Sequence, residues 1–353
     1  MKQYLDLLTT IKEKGVEKSS ARNGMPNTIG VHGHLMRMDL TEGFPLLTTK
    51  KMYWKGIVTE LLWFMNGGTN IKYLVDNGCN IWTADCYRWF KQHNPNHVLA
   101  NIKGIEGESE SEYNKRCVKE FGHFIKTDEQ FAADYGNLGR VYGAQWRDWR
   151  GTRIGSGGQL EEVVYDQVGS LIKGLRDKPM SRYHIISGWN PTELSKMALP
   201  PCHLLYQFHC RPMNKTQQAD WAFKNYGKDW KKNKDVVIPE LFLDLTMYQR
   251  SCDTFLGVPF NIASMSLMVE ILAKMTGMVA GDSVWMGGDT HVYTTHLEQM
   301  DEQISREPMK LPKMKISDEV SNMKDPSHLK VEHFELVDYK SHPSIKADLS
   351  VGL

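Results

Sequence analysis

The stretch Tyr248-Gln-Arg-Ser-Cys-Asp-Thr-Phe-Leu-Gly-Val-Pro-Phe-Asn261 lies between a strand candidate at residues 241–247 and a long apolar helix candidate at residues 264–275. A second strand candidate covers residues 204–208, and residues 54–64 predict a helix with a strongly apolar face. Short strands and long helices occur here without a regular βα repeat. This organisation favours an α+β fold over a doubly wound parallel sheet.

The remaining chain adds a predicted helix at residues 1–15 and a predicted pair of strands at residues 28–40. Residues 91–134 are polar and charged with little apolar periodicity, so they are expected to form a surface insertion. Residues 214–235 carry lysines interleaved with aromatic side chains, which either hold a polyanion or form a solvated loop anchored by its aromatics. We therefore expect one domain over residues 1–353 with surface insertions near 91–134 and 214–235.

Composition restricts the classes of function. The chain has 43 Lys and Arg against 42 Asp and Glu, a net charge of +1, which argues against a bulk nucleic-acid binder. It has no run of about eighteen apolar residues and no apolar signal core at its start, so neither a membrane span nor secretion is expected. The six cysteines lack metal-like spacing, and no metal site is predicted. These features predict a cytoplasmic protein.

Cys202 is the candidate nucleophile. It stands in Met197-Ala-Leu-Pro-Pro-Cys-His-Leu204, where two prolines stiffen the backbone and His203 follows. A fixed backbone can aim a thiol, and a guanidinium nearby, for which Arg250 is the candidate, would favour the thiolate. A free cysteine is more often a small buried hydrophobic residue, and that interpretation is preferred for Cys210 and Cys252.

Other residues of the quoted stretch suit an anionic, base-containing ligand. Arg250 can donate two hydrogen bonds to a phosphate and Ser251 can add a hydroxyl, while Arg22 and Arg182 can add positive charge. Taken singly, each arginine is more often part of a surface salt bridge. Asn261 offers one donor and one acceptor, as the uracil edge requires. Asparagine is also favoured as a helix N-cap, and the two roles are compatible.

His291 and Tyr293 are two residues apart and share one face of an extended segment. Both can bond a sugar hydroxyl, or both can be satisfied interior polar residues.

Together these segments resemble the thymidylate synthase family, and the match covers most of the chain. The motifs that carry the resemblance, besides the two quoted above, are Gly43-Phe-Pro-Leu-Leu-Thr-Thr-Lys50, Glu60-Leu-Leu-Trp-Phe64, Gly136-Asn-Leu-Gly-Arg-Val-Tyr-Gly-Ala-Gln-Trp-Arg147 and Phe260-Asn-Ile-Ala-Ser264. The resemblance implies a thymidylate synthase-like α+β fold, with a large mixed β-sheet backed by helices and a homodimer formed sheet to sheet. It also implies that residues 91–134 correspond to an insertion of some bacterial members.

The resemblance further implies the substrates and the roles of single residues. The substrate would be dUMP and the cosubstrate 5,10-methylenetetrahydrofolate. Cys202 would attack C6, Glu60 would organise proton transfers through water, and Tyr142 would help to remove the C5 proton. The other implied contacts are with the nucleotide (His203, Gln249, Asn261), its phosphate (Arg22, Arg250, Ser251, and Arg182 from the partner subunit), its deoxyribose (His291, Tyr293) and the folate (Trp82, Asp253).

Three departures from the family pattern concern the last step, in which either hydride or water adds to an exocyclic methylene on C5. Asp85 stands where a second tryptophan usually packs on the folate, the tail after Ala347 is two residues longer and carries Asp348, and Tyr183 replaces an arginine. The first two changes would admit or position water, whereas the third concerns phosphate binding. We therefore expect a deoxyuridylate hydroxymethylase like those of certain phages, located in the host cytoplasm if a phage encodes it. Thymidylate synthase and a non-catalytic nucleotide-binding relative are the alternatives.

Overall fold

The computed structural model describes residues 1–20, 25–232 and 236–348. Arg22 and the last five residues therefore lie outside the described residues. Helices occur at α1 Lys2–Lys14, α2 Trp54–Met65, α3 Lys72–Asp76, α4 Thr83–His93, α5 Glu110–Thr127, α6 Glu129–Tyr135, α7 Tyr142–Arg147, α8 Gln167–Asp177, α9 Lys215–Tyr226, α10 Gly257–Thr276 and α11 Leu297–Ile304. Strands occur at β1 Val16–Lys18, β2 Thr28–Asp39, β3 Trp149–Ile154, β4 Leu160–Tyr165, β5 Ile185–Ser187, β6 His203–Pro212, β7 Leu241–Asp253, β8 Val279–Tyr293, β9 Lys313–Ile316 and β10 Phe334–Val337.

The main sheet has the strand order β1-β2-β8-β7-β6-β5. It is mixed, because β7 and β8 run parallel and every other neighbouring pair is antiparallel. The parallel pair is joined through α10, as the crossover between parallel strands requires. The prediction of an α+β fold with a large mixed sheet is confirmed.

Helices cover one face of this sheet. Helix α10 packs on β7 and β8 and also contacts α2, and its apolar residues are almost all buried. It is long and apolar enough to cross a membrane by length and composition alone, but most of it is buried inside the protein, as expected of a core helix. The ten buried residues of α2, including Glu60, place that helix in the same core.

The opposite sheet face carries exposed apolar side chains on adjacent strands. Leu35 of β2 pairs with Met286 of β8, and Met286 pairs with Tyr248 of β7, so the three lie side by side. They are 53%, 38% and 37% exposed, respectively. The protein therefore presents an apolar row across three strands, called here the open-face row.

Three predicted elements differ from the observed ones. Residues 28–39 form one strand, because the chain passes through Gly33 at φ 72° without reversing. Strand β7 continues through Asp253, and α10 begins at Gly257, so most of the quoted motif is strand and helix. Because α10 begins four residues before Asn261, the N-cap interpretation of Asn261 is wrong.

The two predicted insertions have defined structure where they are described. Residues 91–134 include α5 and α6, and Cys117, Phe121 and Ile125 of α5 are buried in the core, an apolar face that the sequence analysis missed. Helix α9 lies within residues 214–235 and follows the end of β6. In the pairing of β6 with β7, His203 lies opposite Gln249 at one end and Pro212 lies opposite Leu241 at the other. Helix α9 follows Pro212 and is therefore connected at the end of the sheet away from His203.

Candidate active site

The register of strands β6, β7 and β8 places several of the predicted site residues at one end of the sheet. His203, the first residue of β6, aligns with Gln249 of β7, and Asp253 of β7 aligns with His291 of β8. Parallel strands end at the same edge, so Asp253 and His291 come together because β7 and β8 are parallel. Cys202 immediately precedes β6 and therefore lies at this edge.

Cys202 differs from the other five cysteines in accessibility. It is partly exposed, whereas Cys79, Cys86, Cys117, Cys210 and Cys252 are buried. Burial raises the pKa of the Cys252 thiol to about 12 and that of Cys210 to about 11. These two thiols stay protonated and packed, as predicted, and Cys202 remains the cysteine suited to nucleophilic chemistry.

Tyr142 connects the cysteine to an aromatic cluster. Its hydroxyl oxygen accepts a hydrogen bond from the Cys202 backbone N–H at 2.7 Å, and its ring stacks on His203 with centroids 4.3 Å apart. Burial, with a smaller contribution from Cys202, raises the pKa of Tyr142 well above its usual value. Burial also lowers the pKa of His203 to about 3, so the imidazole is neutral at physiological pH.

Glu60 is a buried carboxyl group beside this cluster. Its Oε1 accepts a hydrogen bond from the Trp82 indole N–H at 2.7 Å, and the Trp82 ring lies 5.9 Å from that of Tyr142. Burial raises the pKa of Glu60 to about 7, although the Trp82 hydrogen bond favours the ionised form. A carboxyl group with a pKa near 7 can both take and give a proton at neutral pH.

Gln249 and Asn261 form a fixed pair of amides. Gln249 Nε2 donates to Asn261 Oδ1 at 3.0 Å and to the Ser251 carbonyl at 3.1 Å. Gln249 Oε1 accepts from the Trp285 indole N–H at 2.9 Å. This chain fixes the amide orientation of Asn261, whose Nδ2 group remains as the donor for a ligand.

Arg250 forms hydrogen bonds with the loop that carries Cys202. Its Nε donates to the Pro201 carbonyl at 2.8 Å and its Nη2 to the Pro200 carbonyl at 2.9 Å, while its Nη1 donates to none of the residues that the structure describes. Ser251 and Asp253 follow on the same strand and are both partly exposed. Asp253 Oδ1 also accepts from the Leu256 N–H just before α10.

The remaining predicted residues lie in three different settings. His291 is buried with its Nδ1 3.0 Å from Asp289 Oδ1, and its ring lies 5.4 Å from that of Tyr293. Arg182 stands in an exposed loop before β5 and pairs with no acidic residue in the described parts of the chain. Asp85 forms a 2.6 Å ion pair with Arg88 on α4.

A cavity of about 920 Å³ lies between α3, α4 and α5, and Thr83 and Ala84 line it on the α4 side. Ala347 and Asp348 line it, and Asp348 forms a 2.9 Å ion pair with Lys115 of α5. Among residues 1–20, 25–232 and 236–348, no group of three or more His, Cys, Asp or Glu side chains is arranged to hold a metal ion.

Sequence reasoning missed Trp285 and Arg88. Each acts through a contact between residues distant in sequence: Trp285 bonds Gln249, and Arg88 donates to the Ala198 carbonyl. No local pattern marks either residue. In the register of β7 with β8, Gln249 pairs with Gly287, two residues beyond Trp285. Knowledge of this register would have identified Trp285.

The thymidylate synthase family profile matches residues 2–351 of the chain. The thymidylate synthase of Mycoplasma mobile is 42% identical over 351 residues, covering 99% of this chain and 100% of that protein. The thymidylate synthase of Mycoplasma pneumoniae is 40% identical over 351 residues, with the same coverage of both chains. That of Listeria monocytogenes is 39% identical over 355 residues, again covering 99% of this chain and 100% of that protein.

Proposed function

Because the chain belongs to the thymidylate synthase family, we propose that it converts dUMP to dTMP with 5,10-methylenetetrahydrofolate, the cosubstrate that the family uses. The observation that carries the proposal is the setting of Cys202. It is the partly exposed thiol among six, on a loop held by Arg250 and Tyr142 beside a carboxyl group whose pKa is near 7.

The thiolate of Cys202 adds to C6 of the uracil, which moves the electron pair of the C5–C6 double bond toward C5 and O4. The folate supplies the one-carbon unit to C5 and leaves as tetrahydrofolate, which gives an exocyclic methylene on C5. A hydride from tetrahydrofolate then converts this methylene to a methyl group as the C6–S bond breaks, which releases Cys202 as the thiolate and leaves dihydrofolate. Glu60 takes the C5 proton through water, because its pKa allows it to act as a base at neutral pH. The family resemblance associates Tyr142 with removal of the C5 proton. Burial raises the pKa of Tyr142, so it keeps its own proton at neutral pH and contributes by orienting Cys202.

The binding residues divide by ligand part. Asn261, fixed by Gln249, reads the uracil edge, and His203 and Tyr142 form the wall beside it. Arg250 and Ser251 bind the phosphate together with Arg22, and His291 and Tyr293 bind the deoxyribose. Trp82 and Asp253 form the wall toward the folate, whereas the Asp85 carboxylate is paired with Arg88.

A homodimer formed sheet to sheet is part of the proposal. The open-face row of Leu35, Met286 and Tyr248 is an apolar surface of the kind that an interface covers. Arg182, exposed and unpaired with any described acidic residue, would reach the phosphate of the partner subunit's site. We further propose one catalytic domain over residues 1–353, with additions near 91–134 and 214–235, in the cytoplasm.

Hydride transfer rather than hydration is the main proposal. Relatives that match 99% of this chain are named thymidylate synthase. Asp85, the residue expected to admit or position water, is paired with Arg88. Hydroxymethylation remains the second outcome of the same experiment. Because Asp85 and Asp348 both stand near the proposed folate wall, the product must be measured directly.

The test is mass spectrometry of the nucleotide formed from dUMP and 5,10-methylenetetrahydrofolate, with dihydrofolate followed by its absorbance. A methyl product with equimolar dihydrofolate supports the proposal, and a hydroxymethyl product without dihydrofolate replaces it. Cys202→Ala should abolish both turnover and the covalent adduct with 5-fluoro-dUMP and folate. Cys210→Ala, which removes a buried thiol, is the matched control and should retain both. If Cys202→Ala retains both turnover and the adduct, the mechanism is refuted and a binding protein is favoured.

A further inference from the structure

Helix α4 carries an ion pair that faces the nucleophile loop. Arg88 Nη2 lies 2.6 Å from Asp85 Oδ1, and the two side chains are only 16% and 14% exposed. Residues three apart share a helix face, so the pair forms within one turn. A charge-assisted contact at this burial holds the guanidinium in one orientation.

The same guanidinium reaches the loop that ends in Cys202. Arg88 Nη2 donates to the Ala198 carbonyl at 3.1 Å, and the Ala198 N–H donates to the Leu138 carbonyl at 2.9 Å. Ala198 is therefore tied on both sides of its backbone, four residues before Cys202. The contact spans 110 residues of sequence.

The composition of the loop explains why it needs guanidinium groups. Pro200 and Pro201 have no N–H, so this part of the backbone can be tied only through its carbonyl oxygens. Arg250 binds both proline carbonyls, and the Arg250 N–H binds the Cys202 carbonyl at 2.8 Å. The loop is thus held at its C-terminal half by Arg250 and at its start by Arg88.

We propose that Arg88 is a positioning residue for Cys202 and that Asp85 orients Arg88. The inference rests on the proposed function only in taking Cys202 as the nucleophile. It gives Asp85 a different role from the one expected from the sequence: the carboxylate acts through the loop of Cys202, on the first covalent step, and does not select water over hydride in the last step.

The first test compares kcat and KM. Arg88→Ala should lower kcat about tenfold, because small displacements of a reacting group are costly, while KM for dUMP changes less than about twofold. Arg88→Lys should recover part of kcat, since an ammonium can reach either Asp85 or the Ala198 carbonyl. Asp85→Asn should lower kcat by a smaller factor, and the double variant Asp85→Asn/Arg88→Ala should match Arg88→Ala, because both residues act as one unit.

The second test does not depend on the reaction. Hydrogen exchange of the peptide that covers residues 197–204 should become faster in Arg88→Ala, because Ala198 loses its anchor. Asp177→Asn, which breaks the exposed ion pair of Asp177 with Lys173 on α8, is the matched control and should change neither kcat nor this exchange.

The outcomes separate the alternatives. Unchanged kcat and unchanged exchange in folded Arg88→Ala overturn the proposal, as does a lower melting temperature with kcat preserved, which indicates a purely structural role. The proposal is also overturned if Asp85→Asn changes the product ratio or KM for folate and its effect adds to that of Arg88→Ala in the double variant. Asp85 would then act on the folate. If the wild-type protein has no turnover with dUMP, the proposed function fails, whereas the exchange experiment still decides whether Arg88 holds the loop.

Discussion

Glu60→Gln should inactivate the protein and stabilise it at the same time. Glutamine keeps the shape of Glu60 and an oxygen that accepts from Trp82. Burial raises the pKa of Glu60 from 4.5 to about 7, so between these pH values the folded state keeps a proton that the unfolded state has lost. Stability of the wild-type protein therefore falls as pH rises through this window. At about 1.4 kcal/mol per pH unit, the interval corresponds to about 3 kcal/mol.

The assay is urea unfolding of both proteins between pH 4 and 8 (about the range over which carboxyl groups and histidine titrate). The variant should be up to about 3 kcal/mol more stable than wild type above pH 7 and equal to it below pH 4.5, with turnover lowered by a factor of about 10² to 10⁴. Glu270→Gln is the matched control, because burial also raises the pKa of Glu270 to about 7. It should gain stability in the same window and keep its turnover. A stability difference for Glu60→Gln that is independent of pH would refute the reasoning.

Three further predictions concern the nucleotide wall. Burial lowers the pKa of His203 to about 3, so below pH 6.5 the folded state binds fewer protons than the unfolded state and the protein loses stability on acidification. His203→Gln should reduce this loss. Urea unfolding between about pH 5 and 7, where an ordinary histidine titrates, measures it, and an unchanged dependence of stability on pH contradicts the prediction. Gln249→Leu should lower stability by about 1 to 3 kcal/mol and raise KM for dUMP, because it leaves the Trp285 N–H without its acceptor and Asn261 without its donor; thermal unfolding and steady-state kinetics measure both, and normal values of both would contradict the role of the amide pair. Asn261→Asp should lower turnover of dUMP and create turnover of dCMP, since a carboxylate accepts from the cytosine amino group; undiminished use of dUMP would show that Asn261 does not read the base.

The sequence predicted best where a motif is local. The loop before His203, the stretch that ends at Asn261 and the apolar helix α2 are contiguous patterns, and the structure gathers Cys202, Gln249 and Asn261 at one edge of the sheet. The fold class followed from the spacing of strands and helices. The large mixed sheet itself came from the family resemblance.

The errors came from tertiary context. The alternation at residues 28–40 did not show that the chain continues through Gly33 as one strand. In helix α5, Cys117, Phe121 and Ile125 follow each other at helical intervals of four, but the many charged residues between them obscured this spacing. The ion pair of Asp85 with Arg88 was invisible for a similar reason. Its meaning depends on a carbonyl 110 residues away, whereas the sequence showed only an acidic residue in place of an aromatic one.

The position of α9 has a practical consequence. Strand β6 carries the chain from His203 to Pro212, about 30 Å at the usual rise of an extended strand, before α9 begins. Length added between β6 and β7 is therefore absorbed at the end of the sheet remote from Cys202. A fluorophore or an immobilisation tag attached to α9 would report on or capture the protein while leaving its chemistry undisturbed.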